Sequence, residues 1–115
     1  MGRPLVRVVG LGPGGPDLVT RGTLDAIAAA PHRYLRTVRH PAAEVMAGAA
    51  AFDHVYDSAS TIDEVYPRIV EELVAAAHEH GQVLYAVPGS PVVAEHTVEL
   101  LLAEDRVEVE VHPAL

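Results

Sequence analysis

Between Thr61 and Gly81 the chain carries a pattern that leaves few folds open to it. Ile62, Val65, Tyr66, Ile69, Val70, Leu73, Val74 and Ala77 recur at i, i+3, i+4 and i+7, the spacing that lines apolar side chains along one face of a helix. Thr61 and Glu64 make a T-x-x-E capping box at its start, and Gly81 supplies the stop at its end. Burial of each large apolar side chain is worth ~1.5–3 kcal/mol. So long a stripe cannot stay in water, and it requires a sheet to pack on.

The rest of the sequence supplies that sheet. Leu5 to Val9 is a short β-branched run that stops at Gly10, and it reads as a strand buried on both faces apart from Arg7. Val83 to Val87 is a second strongly apolar run. Val107 to Val111 alternates Val with Glu, the signature of a strand with one face exposed, at a sheet edge or awaiting a partner. Arg33 to Val38 and the shorter His54 to Tyr56 are the remaining strand candidates. Helical segments separate them. One lies within Asp17 to Ala30, with Thr20 as a cap, Leu24, Ile27 and Ala28 at helical spacing, and Pro31 as the stop. Ala42 to Ala51 is Ala-rich and reads as a helix. Another is expected from Ser90 at the N-cap and Pro91 at the first helical position to about Ala103, with Val93, Val98, Leu101 and Leu102 apolar. Strands alternating with helices predict an α/β fold: an open, mostly parallel five-stranded sheet flanked by helices. The 115 residues fit a single domain, 1–115.

Composition narrows the functions. The formal net charge is −8, and all eight basic residues are Arg. An acidic chain without a basic run is a poor match for a nucleic-acid backbone. Arg33, Arg36 and Arg39 come nearest to a cluster and read as a solvated edge rather than a phosphate site. With no cysteine, there is no disulfide framework and no thiolate metal site. The seven histidines include His78 and His80, whose i, i+2 spacing does not share a helix face, and no metal-binding spacing occurs. His96 reads as a surface or packing residue, Tyr85 as core, and Glu71, Glu72, Glu104 and Asp105 as solvated faces. No apolar stretch approaches the ~18 residues that span a bilayer. A cytoplasmic protein with no membrane partner is the expectation.

Ligands of open parallel sheets bind beyond the carboxyl ends of the strands. Two loops rich in glycine and proline leave strands there: Gly10 to Gly15, and Pro88 to Pro91. Gly10, Gly12 and Gly15 satisfy G-x-G-x-x-G, yet Pro13 and Pro16 interrupt the helix a dinucleotide fold would open there. Where that motif wants an acidic residue, about 20 residues on, this sequence has Arg33 and Arg36. No G-K-[ST] follows, which excludes a P-loop. The first loop is then either a rigid turn or a ligand loop. Asp17 behind it caps a helix or points into the cleft. In the second loop Gly89 permits close backbone approach. Ser90 is there either a simple cap or the start of a helix terminus that favours an anionic group.

Taken together the loops are more specific. Val9-Gly10-Leu11-Gly12-Pro13-Gly14-Gly15-Pro16-Asp17-Leu18-Val19-Thr20 resembles the opening G-x-G-P-G-x-x-x-L-T motif of the tetrapyrrole (corrin/porphyrin) methylase family. Tyr85-Ala86-Val87-Pro88-Gly89-Ser90-Pro91-Val92-Val93-Ala94-Glu95 resembles that family's second loop, and the amphipathic helix lies between them. Val87 to Pro91, with Tyr56-Asp57 ahead of the long helix, is similar to the methylase-like module fused upstream of MazG-type nucleoside triphosphate pyrophosphohydrolases. The resemblance implies a fold of two α/β domains, usually dimeric, with S-adenosylmethionine in the cleft between them. It implies that this chain is the N-terminal half, with the C-terminal half absent and a MazG-type domain as a further partner. Gly12, Pro13 and Gly14, with Asp17, would line the substrate side, and Pro88, Gly89, Ser90 and Pro91 would touch the methionine part of the cofactor. Ser90 stands where many members carry Asp, and a hydroxyl cannot act as a carboxylate base, so no catalytic residue is assigned. The isolated half would expose the face that meets its partner and would self-associate. The other reading is a non-catalytic dimerisation or metabolite-sensing module serving a downstream hydrolase.

Overall fold

The computed structural model describes residues 2–91 and 95–112. Five strands form one sheet in the order β3-β2-β4-β1-β5, and every pair is parallel. The strands are β1 (Leu5–Gly10), β2 (Arg33–Leu35), β3 (Ala50–Ala51), β4 (Gln82–Val87) and β5 (Glu108–His112). The helices are α1 (Arg21–Ala29), α2 (Asp53–Ser58), α3 (Ile62–His80) and α4 (His96–Leu102). The expected α/β architecture is the observed one.

The central strand β4 sorts the core into two layers. Val83, Tyr85 and Val87 join Val6 and Val8 beneath the apolar stripe of α3, together with Val55 of α2 and Val98 and Leu101 of α4. Leu84 and Ala86 turn to the other face, where they meet Val9, Leu11, Ile27 of α1, Ala42 and Met46. Both faces of the sheet are thus covered, as an all-parallel sheet requires. The edge strand β5 keeps its alternation: Val109 and Val111 pack against the core, while Glu110 pairs with Arg7 across the register at 3.0 Å.

Several local expectations are corrected. His54 to Tyr56 is not a strand but the middle of α2, because Val55 packs inward with the α3 layer. The third strand is instead the Ala50–Ala51 pair beside Tyr34 and Leu35. Ala42 to Ala51 is not one helix. It holds a short 3₁₀ turn, Ala43–Met46, and breaks at Gly48, whose φ of 86° no α-helix accommodates. The second strand ends at Leu35 rather than Val38. In α1 the buried residues are Thr23 and Ile27, while Leu24 and Ala28 are exposed. Thr20 caps α1 as expected, accepting the Thr23 N–H at 3.2 Å. The expected capping box of α3 does not form. Thr61 occupies the N-cap without a side-chain bond, and Glu64 accepts the N–H of Ser60 rather than of Thr61. Pro67 sits inside α3, in its second turn, where it forfeits one intrahelical bond.

Candidate functional site

Strands β1 and β4 are neighbours, yet the chain leaves them in opposite directions. After β1 it crosses to β2 by way of α1 on one face, and after β4 it crosses to β5 by way of α4 on the other. Such a reversal opens a crevice at the carboxyl edge, the usual ligand position in this architecture. Here the two loops above the crevice are tied together. Gly12 donates its N–H to the Gly89 carbonyl at 3.0 Å, and Gly89 donates its own to the Gly12 carbonyl at 3.1 Å. Both glycines have positive φ, 80° and 64°. Leu11 extends the ladder by donating to the Val87 carbonyl. The structure therefore brings the first and second loops into one unit, although they are far apart in sequence.

The two glycines differ in surroundings. A Cβ at Gly12 would stand 3.2 Å from the Leu18 carbonyl oxygen, whereas one at Gly89 would meet nothing within 4 Å. Gly14 is closed off by the Leu18 side chain, which a Cβ there would meet at 2.5 Å. Open space thus lies on the Gly89 side of the bridge. Gly89 has both its backbone N–H and its carbonyl engaged with Gly12. Pro13 and Asp17 are exposed, and Asp17 caps no helix.

The second loop does not start a helix as expected. Pro91 lies in a turn, α4 begins at His96, and its N-cap is Glu95. Val93, expected on that helix, lies outside the described residues. Ser90 is therefore not the cap of α4; Glu95 holds the N-cap position without a side-chain cap bond.

Sequence reasoning missed two groups that build this edge. His40 accepts the Ala42 N–H through Nδ1 at 3.0 Å, so its Nε2 carries the proton and donates to the Gly12 carbonyl at 3.0 Å. The second group is a buried polar chain. Tyr85 Oη lies 2.9 Å from Thr97 Oγ1, Thr97 donates to Glu95 Oε1 at 2.7 Å, and Glu95 Oε2 lies 3.4 Å from Arg36 Nε. That last contact is an ion pair without hydrogen-bond alignment, since Arg36 Nε is buried and has no hydrogen-bond partner. Arg36 Nη1 donates to Tyr56 Oη at 2.7 Å. Burial alone would lower the pKa of Arg36, but Glu95 and then Tyr56 outweigh it and hold the guanidinium above its ordinary value. Burial raises Tyr56, an effect Arg36 only partly offsets, and burial pushes Tyr85 far above the usual phenol range. Arg36 is therefore no part of a solvated edge: its side chain is 21% exposed and Glu95 is 9% exposed.

The remaining candidates behave as surface or core. His96 is exposed, edge-on to Tyr66 at 5.2 Å. Tyr85 is fully buried, Glu71 and Glu104 pair with Arg106, and Glu72 pairs with His54. His80 stacks on His32 at 3.7 Å. Among the described residues no three His, Cys, Asp or Glu side chains come together as a metal site, and no helix is long and apolar enough to cross a membrane.

Comparison with known proteins bears on this edge. The family model described as tetrapyrrole (corrin/porphyrin) methylases matches residues 6–115. The chain is 39% identical over 100 residues to the uncharacterized protein YabN of Bacillus subtilis (strain 168), a match spanning 84% of this chain and 20% of that protein. Two structures of uroporphyrin-III C-methyltransferase from Thermus thermophilus share the fold, with TM-scores of 0.68 and 0.72 at 24% identity. They cover 96% and 98% of this chain and 48% of theirs. A third, of the Thermus thermophilus enzyme complexed with S-adenyl homocysteine, has a TM-score of 0.66 at 27% identity, over 99% of this chain and 45% of that one. The chain thus spans about half the length of these structures and a fifth of YabN.

Proposed function

The chain belongs to the tetrapyrrole (corrin/porphyrin) methylase family, and from that premise we propose that it is the N-terminal half of an S-adenosylmethionine-dependent methylase-type domain, working in the cytoplasm. A second α/β half closes the cleft above the carboxyl edge. The observation that carries this reading is the Gly12–Gly89 bridge: two loops fixed to each other at the switch point, with open space beside Gly89. A pre-formed backbone cradle of this kind suits a ligand that must be held rather than chemically altered by side chains. Bound there, S-adenosylmethionine supplies an electrophilic methyl group on a sulfonium. The loop of Pro88, Gly89, Ser90 and Pro91 lies against its methionine part, while Gly12, Pro13 and Gly14, with Asp17, line the substrate side. His40 fixes the first loop through the Gly12 carbonyl.

One observation favours a second reading. Ser90 puts no carboxylate at the second loop. A module that binds a metabolite or dimerises without catalysis, attached to a MazG-type nucleoside triphosphate pyrophosphohydrolase, would need none.

Calorimetric titration of S-adenosylhomocysteine tests the cofactor site. Saturable binding by this chain, lost in Gly89→Val, is the expected result. Absence of binding, both here and in a longer chain that carries the second half, overturns it.

A further inference from the structure

A cavity of about 250 Å³ opens between α2 and the segment that follows β2, lined by Arg36, Thr37, Arg39, Asp53, Tyr56 and Asp57. It contains no residue of either paired loop. From its chemistry we infer that this cavity binds the oxyanion group, carboxylate or phosphate, of a small ligand.

Three features carry the inference. Arg36 is a pre-set donor. Its backbone N–H continues the sheet onto the Ala86 carbonyl, and its guanidinium is held between Glu95 and Tyr56. Among the described residues its Nη2 makes no hydrogen bond, so donors remain for a ligand. Tyr56 is the second donor. Its oxygen accepts the Arg36 N–H, which leaves its own O–H to give to something else at the cavity wall. Arg39 is the third. Its guanidinium forms no ion pair or side-chain hydrogen bond among the described residues. The turn that carries it is fixed from both sides: Thr37 Oγ1 accepts the Arg39 N–H at 3.1 Å, and Asp53 Oδ2 accepts the Val38 N–H at 3.2 Å. Two guanidinium groups and a phenol around one cavity match a planar or tetrahedral oxyanion, for which charge-assisted bonds are strongest.

The two carboxylates on the wall set the selectivity. Asp53 is occupied with Val38, and neither Asp53 nor Asp57 forms an ion pair with either arginine among the described residues. They repel bulk anions and offer acceptors to hydroxyl or amino groups flanking the bound oxyanion. The net charge of −8 acts the same way. Non-specific anion binding to this chain is disfavoured, so saturable binding reports a local site.

The inference does not rest on the methylase reading, and its test is separate from the S-adenosylhomocysteine titration. Inorganic phosphate and succinate are titrated in turn into the ¹⁵N-labelled chain at constant ionic strength. Saturable amide shifts are expected in Arg36 to Arg39 and in Tyr56 and Asp57, and the better-binding probe identifies the oxyanion. Arg39→Gln, which removes no bond within the fold, should weaken that probe about tenfold, the loss of one charge-assisted contact. Tyr56→Phe should weaken it by a smaller factor. Linear shifts spread over the surface with both probes overturn the proposal, as does an Arg39→Gln variant that binds like the parent.

Discussion

Gly12 and Gly89 hold each other, but not on equal terms. An L-residue at positive φ costs roughly 1–2 kcal/mol by itself. At Gly89, where a new Cβ meets open space, that is the whole cost, and Gly89→Ala should lower stability by about 1 kcal/mol. At Gly12 the Cβ also crowds the Leu18 carbonyl at 3.2 Å, and Gly12→Ala should cost about 2–3 kcal/mol, the strain of a special backbone conformation plus overpacking. Urea denaturation of the two variants checks the order; equal losses would mean that the Leu18 segment moves aside freely. The importance of both glycines was legible in the sequence, since each sits among prolines that permit little else. The partners that fix the edge were not. His40 meets Gly12 across 28 residues of chain, and Arg36 meets Glu95 across a still longer separation. No local periodicity marks either contact, because the pairing exists only once β2, β4 and β1 lie side by side.

The long helix α3 and the strands β1 and β4 declared themselves because their patterns run far enough to outweigh local accidents. The short segments did not. Asp53 to Ser58 and the Ala50–Ala51 strand contain too few residues for propensity to decide, and tertiary contacts decide instead: Phe52 donates to the Leu35 carbonyl while Val55 packs inward. Elements are also joined by exposed charge. Arg106, between α4 and β5, pairs with Glu104 and reaches Glu71 on α3. Hydrogen bonds from Arg106 hold the Glu104 carboxyl well below its ordinary value, at about 2. A depressed folded-state pKa stabilises the fold above the unfolded value of 4.5, and the gain is lost as pH falls through about 2. Carboxyl ¹³C titration should therefore find Glu104 still ionised at pH 3. In Arg106→Gln its midpoint should return to the ordinary carboxylate range. An unchanged midpoint in that variant would remove Arg106 as the cause.

In a parallel α/β fold each crossover helix runs back against the strands, so helix starts and post-strand loops share the carboxyl edge. Leu18 just after the first loop, Val38 beyond β2 and Ile62 at the start of α3 all lie on that edge, and they are 41%, 56% and 56% exposed. Leu102, 61% exposed, ends α4 at the opposite edge, and Leu24, 37% exposed, lies on α1; the three at the carboxyl edge, with the open space beside Gly89, still make that edge suited to burial by another α/β unit. Opposing this is a net charge of −8, which makes two copies of the chain repel. Salt separates the two terms. The screening length falls from tens of ångströms at low salt to ~10 Å at 0.1 M and shorter above, while apolar burial persists. Sedimentation equilibrium should accordingly give a weight-average mass above the monomer that rises with protein concentration. It should rise again between about 0.05 M and about 0.5 M salt as repulsion between copies is screened. Replacing Val38 and Ile62 together with Asp should return the chain to monomer at both salts. A monomer under every condition would mean that this edge does not associate, and that its apolar residues are ordinary surface. Association that weakens with salt would point instead to the charged β5 edge, where Arg3, Arg7, Glu108 and Glu110 alternate in sign.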